Sequence, residues 1–100
     1  MRELNIPQEI ATTLNNIGKV YGSLCRYEDA LKHYEESLKI KRELNLPKGI
    51  AISLNDIGTV YYSLGRYEDV LKYYEESLKI KRELNTPRGI AISLNNIGIF

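Results

Sequence analysis

The sequence predicts an all-α solenoid, a stack of antiparallel helix pairs. Three observations predict it: a 40-residue internal repeat, apolar periodicity of a helix inside each repeat, and proline or glycine near the expected helix ends. Residues 11–50 and 51–90 align without a gap and differ at 10 of 40 positions. Arg2-Glu3-Leu4-Asn5 matches Arg42-Glu43-Leu44-Asn45 and Arg82-Glu83-Leu84-Asn85, and Ala91 restarts the unit. One such unit cannot bury its apolar face alone, so this self-similarity marks a stacked array. The 100 residues hold about two and a half units. Residues 1–6 are expected to end a preceding second helix. Residues 7–46 and 47–86 form two repeats, and 87–100 the first helix of a third. A chain cut this way reads as a fragment of a longer array.

Within a unit, Ile10, Leu14, Ile17, Tyr21 and Leu24 fall four and three residues apart, on one face of a first helix. Ala11 and Gly18 lie beside that stripe and permit close approach of a neighbour. Pro7, Pro47 and Pro87 stand where a helix starts and a missing N–H costs little. The stop falls at Cys25-Arg26 and Gly65-Arg66. Glycine tolerates the positive φ of a helix C-terminus. Cysteine tolerates it less well, so Cys25 either costs stability or takes another backbone shape. The second helix, from Tyr27 and again from Tyr67, carries the stripe Tyr27, Ala30, Leu31, Tyr34, Leu38, with Ile40 and Leu44 on a second side. Glu28 and Asp29 open it, and Lys39, Lys41 and Arg42 close it, matching the helix dipole. Glu28–Lys32 and Glu35–Lys39 are spaced for surface ion pairs. Asn45-Leu46-Pro47 ends it. Five alternating helices are expected, after a stub.

Composition excludes more than it names. Hydrophobic residues make up 43% and charged residues 27%, with a net charge of +1, which describes a soluble globular chain. No apolar run suits a bilayer, no signal peptide opens the chain, and no broad positive field suits nucleic acid. The single Cys25 forms no internal disulfide and fits a reducing, cytoplasmic setting.

These residues resemble the tetratricopeptide repeat. Leu14, Ile17, Gly18 and Tyr21 match that family's first-helix positions. Gly65, Tyr67, Val70, Tyr74 and Ser77 match its turn and second helix, as do Arg26, Tyr27, Ala30, Tyr34 and Ser37 one unit earlier, with Cys25 replacing the glycine. The usual unit is shorter and ends in proline where Arg42 stands. The longer unit is similar to the 40- to 42-residue variants of kinesin light chains and of scaffolds that regulate heterotrimeric G proteins. Val70 replaces the small alanine that normally meets Gly58, which would widen that crossing. The resemblance implies a right-handed superhelix with a concave groove lined by the first helices, and a non-enzymatic protein-interaction module that takes a protein or peptide partner.

Opposite the first-helix stripe lie Thr12, Asn16, Lys19 and Ser23, flanked by Asn15 and Gly22. The next unit presents Ile52, Asn55, Asp56, Thr59 and Tyr62, and the last Asn95 and Asn96. Asn15, Asn55 and Asn95 would stack into a ladder of amides able to bind an extended peptide backbone. Asparagine disfavours mid-helix positions, so the ladder serves either peptide binding or packing between helices. Tyr62, with glycine as its counterpart, is the anchor candidate. The family's carboxylate clamp for acidic chaperone tails is rejected, since only Asn16 agrees with it.

Catalysis finds no support. His33, the one histidine, is replaced by Tyr73 in the next unit, Cys25 has no nearby histidine, and no phosphate loop is present. No cofactor or metal is expected. The tyrosines of the packing stripes are expected in the core. The ends supply an alternative. Ile92, Ile97, Ile99 and Phe100 of an uncapped last helix would be exposed, and unlike ends associate head-to-tail. The alternative is therefore a self-associating scaffold fragment, a homo-oligomer formed by end stacking or exchange of the terminal helix.

Overall fold

The computed structural model describes residues 2–85, with side chains from Ile6 onward. Four helices follow one another: α1 (Arg2–Ser23), α2 (Tyr27–Glu43), α3 (Pro47–Ser63) and α4 (Tyr67–Leu84). Each packs on the next, α1 also approaches α3 narrowly, and α1 and α4 do not meet. The expected fifth helix, 87–100, lies outside the described residues.

The turns repeat one hydrogen-bond scheme. The Arg26 N–H donates to the Tyr21 carbonyl at 2.9 Å and the Cys25 N–H to the Gly22 carbonyl at 3.0 Å. Arg66 with Tyr61, Gly65 with Tyr62, Leu46 with Lys41, and Asn45 with Arg42 repeat the pair. These bonds satisfy the last carbonyls and require one left-handed residue per turn. That residue is Gly65 at φ 75°, Asn45 at φ 59° and Cys25 at φ 61°. Cys25 thus keeps the glycine shape instead of adopting another. No side chain caps α2 or α4; the residues just before them, Arg26 and Arg66, instead bridge each turn. The Arg26 guanidinium lies 5.1 Å above the Tyr21 ring and 2.9 Å from Asp29, and Arg66 does the same with Tyr61 and Asp69.

Two sequence expectations change here. Helix α1 runs unbroken through Pro7, so residues 2–6 continue it instead of ending a separate helix. Pro7 forfeits one bond, to the Glu3 carbonyl, whereas so short a stub could not nucleate a helix of its own. The ion pairs at 4 Å or less among the described residues are Arg26–Asp29, Arg42–Glu76 and Arg66–Asp69, not Glu28–Lys32 or Glu35–Lys39. Holding two long exposed side chains together costs about what the attraction returns.

The first helices have two contact sides, the stripe and the small residues beside it. Ala11 and Gly18, beside the stripe, turn toward α2, where Ser37 Oγ donates to the Ala11 carbonyl at 2.7 Å. A Cβ at Gly18 would sit 2.7 Å from the Tyr34 ring, and one at Gly58 would sit 2.6 Å from Tyr74. The atoms nearest Gly58 are thus those of the Tyr74 ring, and the approach is as close in the unit with Val70 as in the unit with Ala30. On α3 the stripe residues Ile50, Leu54 and Ile57, joined by Val60, pack against Ala30, Tyr34 and Leu38 of α2. Full burial of side chains such as Leu54 and Ile57 is worth about 1.5–3 kcal/mol each. Among the stripe tyrosines, Tyr34 is buried and Tyr21, Tyr27 and Tyr61 are half-buried, while Tyr67 and Tyr74 are exposed, against the core expectation for those two.

A left-handed non-glycine residue is strained, with part of any relief offset by glycine's freedom in the unfolded chain. Cys25→Gly should raise stability by about 0.5–1 kcal/mol, seen as a higher urea midpoint at unchanged slope. An unchanged or lower midpoint would contradict the strain.

Candidate binding surface

The sequence-predicted groove residues lie on α1 and α3, and they do not share one fate. Asn16, Lys19, Thr59 and Tyr62 are exposed, and Asn55 and Asp56 half-buried. On α3, Ile52, Asn55, Asp56, Thr59 and Tyr62 recur at three- and four-residue spacing, so they share one face. Ile52 and Tyr62 are its exposed apolar ends, about 15 Å apart along the axis at 1.5 Å per residue. Tyr62 is 60% exposed and meets the Tyr67 ring edge-on, with centroids 5.5 Å apart. The Thr59 hydroxyl donates to the Asn55 carbonyl at 3.0 Å and lies 3.1 Å from the Tyr74 hydroxyl. Having one proton, Thr59 then accepts from Tyr74. Asn95 and Asn96 lie outside the described residues, as do Ile92, Ile97, Ile99 and Phe100.

Asn15 departs from the ladder. It is 5% exposed and sits in a polar chain between helices. Lys41 Nζ donates to Ser53 Oγ at 2.9 Å, Ser53 Oγ donates to Asn15 Oδ1 at 3.2 Å, and Asn15 Nδ2 donates to Asp56 Oδ2 at 2.9 Å. The packing alternative therefore holds at this position: the amide is spent on joining α1, α2 and α3. A buried amide demands such partners.

The sequence pattern places Lys41 only at the basic helix end. It is buried, with its stem against Gly49, where a Cβ would sit 3.1 Å from Lys41 Cδ. A signal was available. Lys41 falls seven residues after Tyr34, on the same helical face. Burial lowers its pKa below the usual lysine value, while the Asp56 carboxylate opposes that shift. Burial, with a lesser push from Asp56, raises the Tyr34 phenol to about 12. His33 is a packed residue: Nδ1–H donates to the Asp29 carbonyl at 2.8 Å, and the ring lies 5.2 Å from Tyr21.

Asn15→Ala strips partners from Ser53 and Asp56 and should cost about 1–3 kcal/mol, measured by urea denaturation. A cost near zero would remove the network from the stacking energetics. The raised Tyr34 pKa favours the folded state in full below pH 10, the ordinary tyrosine value, and that contribution is lost as pH climbs through 12. Stability should therefore fall across that window, by up to about 1.4 kcal/mol per pH unit from this group. Tyr34→Phe should flatten the fall; an identical slope in both proteins would refute the assignment.

No helix among the described residues is long and apolar enough to cross a membrane. No curated protein and no solved structure matches the chain. The tetratricopeptide repeat profile does, over residues 9–83, which span all four helices. Repeats of this family typically serve as non-enzymatic scaffolds that bind protein partners. With the glycine–tyrosine contacts and turn scheme present in both units, the chain belongs to the tetratricopeptide repeat family.

Proposed function

We propose that the chain is a protein-interaction module that receives an extended peptide along the α1/α3 face. The observation that carries this reading is the composition of that face. Exposed Ile52 and Tyr62 bracket a polar stretch of Asn55, Asp56 and Thr59, beside Asn16 and Lys19 of α1. Such a row suits an extended backbone: carboxamides both donate and accept toward its amides, and the apolar ends take side chains. Asn15 has no part in it. Lys19, an exposed cation, favours an acidic side chain or C-terminus near the α1 half.

A second reading is an end-to-end scaffold, built by head-to-tail stacking or by exchange of residues 87–100. It is favoured by the exposure of Ile10, Ile17 and Val20 on the outward side of α1.

The peptide reading is tested by screening a peptide library against the wild-type chain and titrating the binders against variants. Tyr62→Ala should weaken them by about thirtyfold, a loss near 2 kcal/mol, and Asn55→Ala by severalfold. Binders indifferent to both changes would place the site elsewhere.

A further inference from the structure

The buried chain that joins α1, α2 and α3 has a direction, and its two ends impose it. An ammonium only donates, and a carboxylate only accepts. Lys41 Nζ donates to Ser53 Oγ, so the single hydroxyl proton of Ser53 goes to Asn15 Oδ1. With its oxygen taken, Asn15 turns Nδ2 toward position 56, where Asp56 Oδ2 accepts at 2.9 Å. Buried Lys41 thereby dictates that residue 56 accepts from within the stack. A carboxylate meets that demand with one oxygen and keeps an acceptor on its other side. An asparagine there would turn its oxygen inward and leave only N–H groups outward.

Position 56 also belongs to the ligand-facing side. Asp56 is half-buried on the α1/α3 face, in line with Ile52 and Thr59. Among the described residues, only its Oδ2 accepts a side-chain hydrogen bond. Asn16, its counterpart forty residues earlier, is exposed and carries an amide that both donates and accepts.

We propose that Asp56 is the specificity-determining acceptor of the α1/α3 face, taking a backbone N–H of an extended peptide, and that Lys41 and Asn15 are the positioning residues that fix it. The proposal rests on the peptide reading and specifies the chemistry of one of its contacts. A cationic side chain offers N–H groups too, but the local charges oppose it. Lys41 feels both the Asp56 carboxylate and the Lys19 ammonium, so two cations and one anion share this junction. A neutral amide N–H suits such a site, and a third cation does not. The contact also discriminates. A peptide carbonyl set against Asp56 Oδ1 brings two acceptors together and leaves both without a proton. The α1 half of the face therefore takes N–H or C=O, and the α3 half, at Asp56, takes N–H alone.

The test uses the full chain and an extended peptide that the wild type selects from a library, with affinities read by fluorescence anisotropy. A companion series replaces one backbone amide of that peptide at a time by an ester, which removes one N–H and keeps the shape. Asp56→Asn should weaken the parent peptide about tenfold, the loss of one charge-assisted hydrogen bond. One ester position should weaken wild-type binding similarly and add no loss on Asp56→Asn. The diagnostic background is Lys41→Met, which removes the donor that imposes the direction. There the Asn15 amide can turn over and an asparagine at position 56 can present its oxygen, so Asp56→Asn should cost about threefold or less. Lys41→Gln, which both donates and accepts, gives the same reading if the methionine disturbs folding, as circular dichroism would check.

A parent peptide indifferent to Asp56→Asn, or an equal loss with and without Lys41, overturns the proposal. If Tyr62→Ala still weakens that peptide, the peptide reading stands. A loss that follows a lysine, an arginine or the N-terminal amine of the peptide, and no ester position, overturns the backbone assignment. A wild type that selects no peptide overturns the proposal and the peptide reading together.

Discussion

The structure depends on one close contact, a tyrosine ring laid against a glycine. A Cβ at Gly18 would stand 2.7 Å from Tyr34, and at Gly58 2.6 Å from Tyr74, distances that no side chain can occupy. The absent methyl lets each second helix lie close along its first helix. That proximity allows Ser37 to reach the Ala11 carbonyl and Ser77 the Ala51 carbonyl, at 2.7 and 3.1 Å. Each hydroxyl is buried and needs that acceptor. The hairpin is therefore fixed by a steric absence and one hydrogen bond, repeated forty residues on. The turn adds a third constraint. Its left-handed residue and the arginine after it hold the angle at which the ring arrives.

A repeat array separates what a residue is from what happens to it. Stacking buries a side chain only when a neighbour follows, so identical residues have different exposures at different places in the stack. Val20 and Val60, or Leu38 and Leu78, differ in nothing local. The same holds for polar groups. Asn15 is enclosed because α2 and α3 close over it, while Asn55, its copy, remains half-buried. A duplicated motif thus does not imply a duplicated site.

This separation marks what was legible in the sequence. The helices, their order and the turn positions follow from period, proline and glycine, which act locally. Cys25 shows how strongly the turn is imposed: the backbone keeps the glycine shape although the residue resists it. Features set by three helices at once were not legible. The stripe residues Ile50, Leu54 and Ile57 pack on α2, while Gly58, beside the stripe, meets Tyr74 of α4; periodicity reports that a residue faces a neighbour and not which one. Lys41 reads as a surface charge because its burial needs Asn15 of α1 together with Gly49 and Ser53 of α3. The α1/α3 face was legible as a face, with Asn15 as the exception that only tertiary contacts could remove.

The differences between the units carry a further argument. The contacts that build each hairpin are invariant: Gly18 and Gly58, Tyr34 and Tyr74, Ser37 and Ser77. Four of the ten differing positions lie on or beside the α1/α3 face: Thr12/Ile52, Asn16/Asp56, Lys19/Thr59 and Gly22/Tyr62. That face can vary because the hairpin does not rest on it. Its two halves are consequently unlike, one polar and cationic at Lys19, the other flanked by Ile52 and Tyr62. The Asp56 carboxylate is engaged by Asn15 and offsets buried Lys41, whereas Lys19 of α1 is exposed. The net charge of +1 is then a poor guide to recognition, since part of the balance is spent inside the stack. An extended ligand crossing both units would meet a directional surface. Reversing it would put its apolar group over Lys19 and its acidic group over Tyr62, a mismatch at both ends that fixes polarity without any added contact.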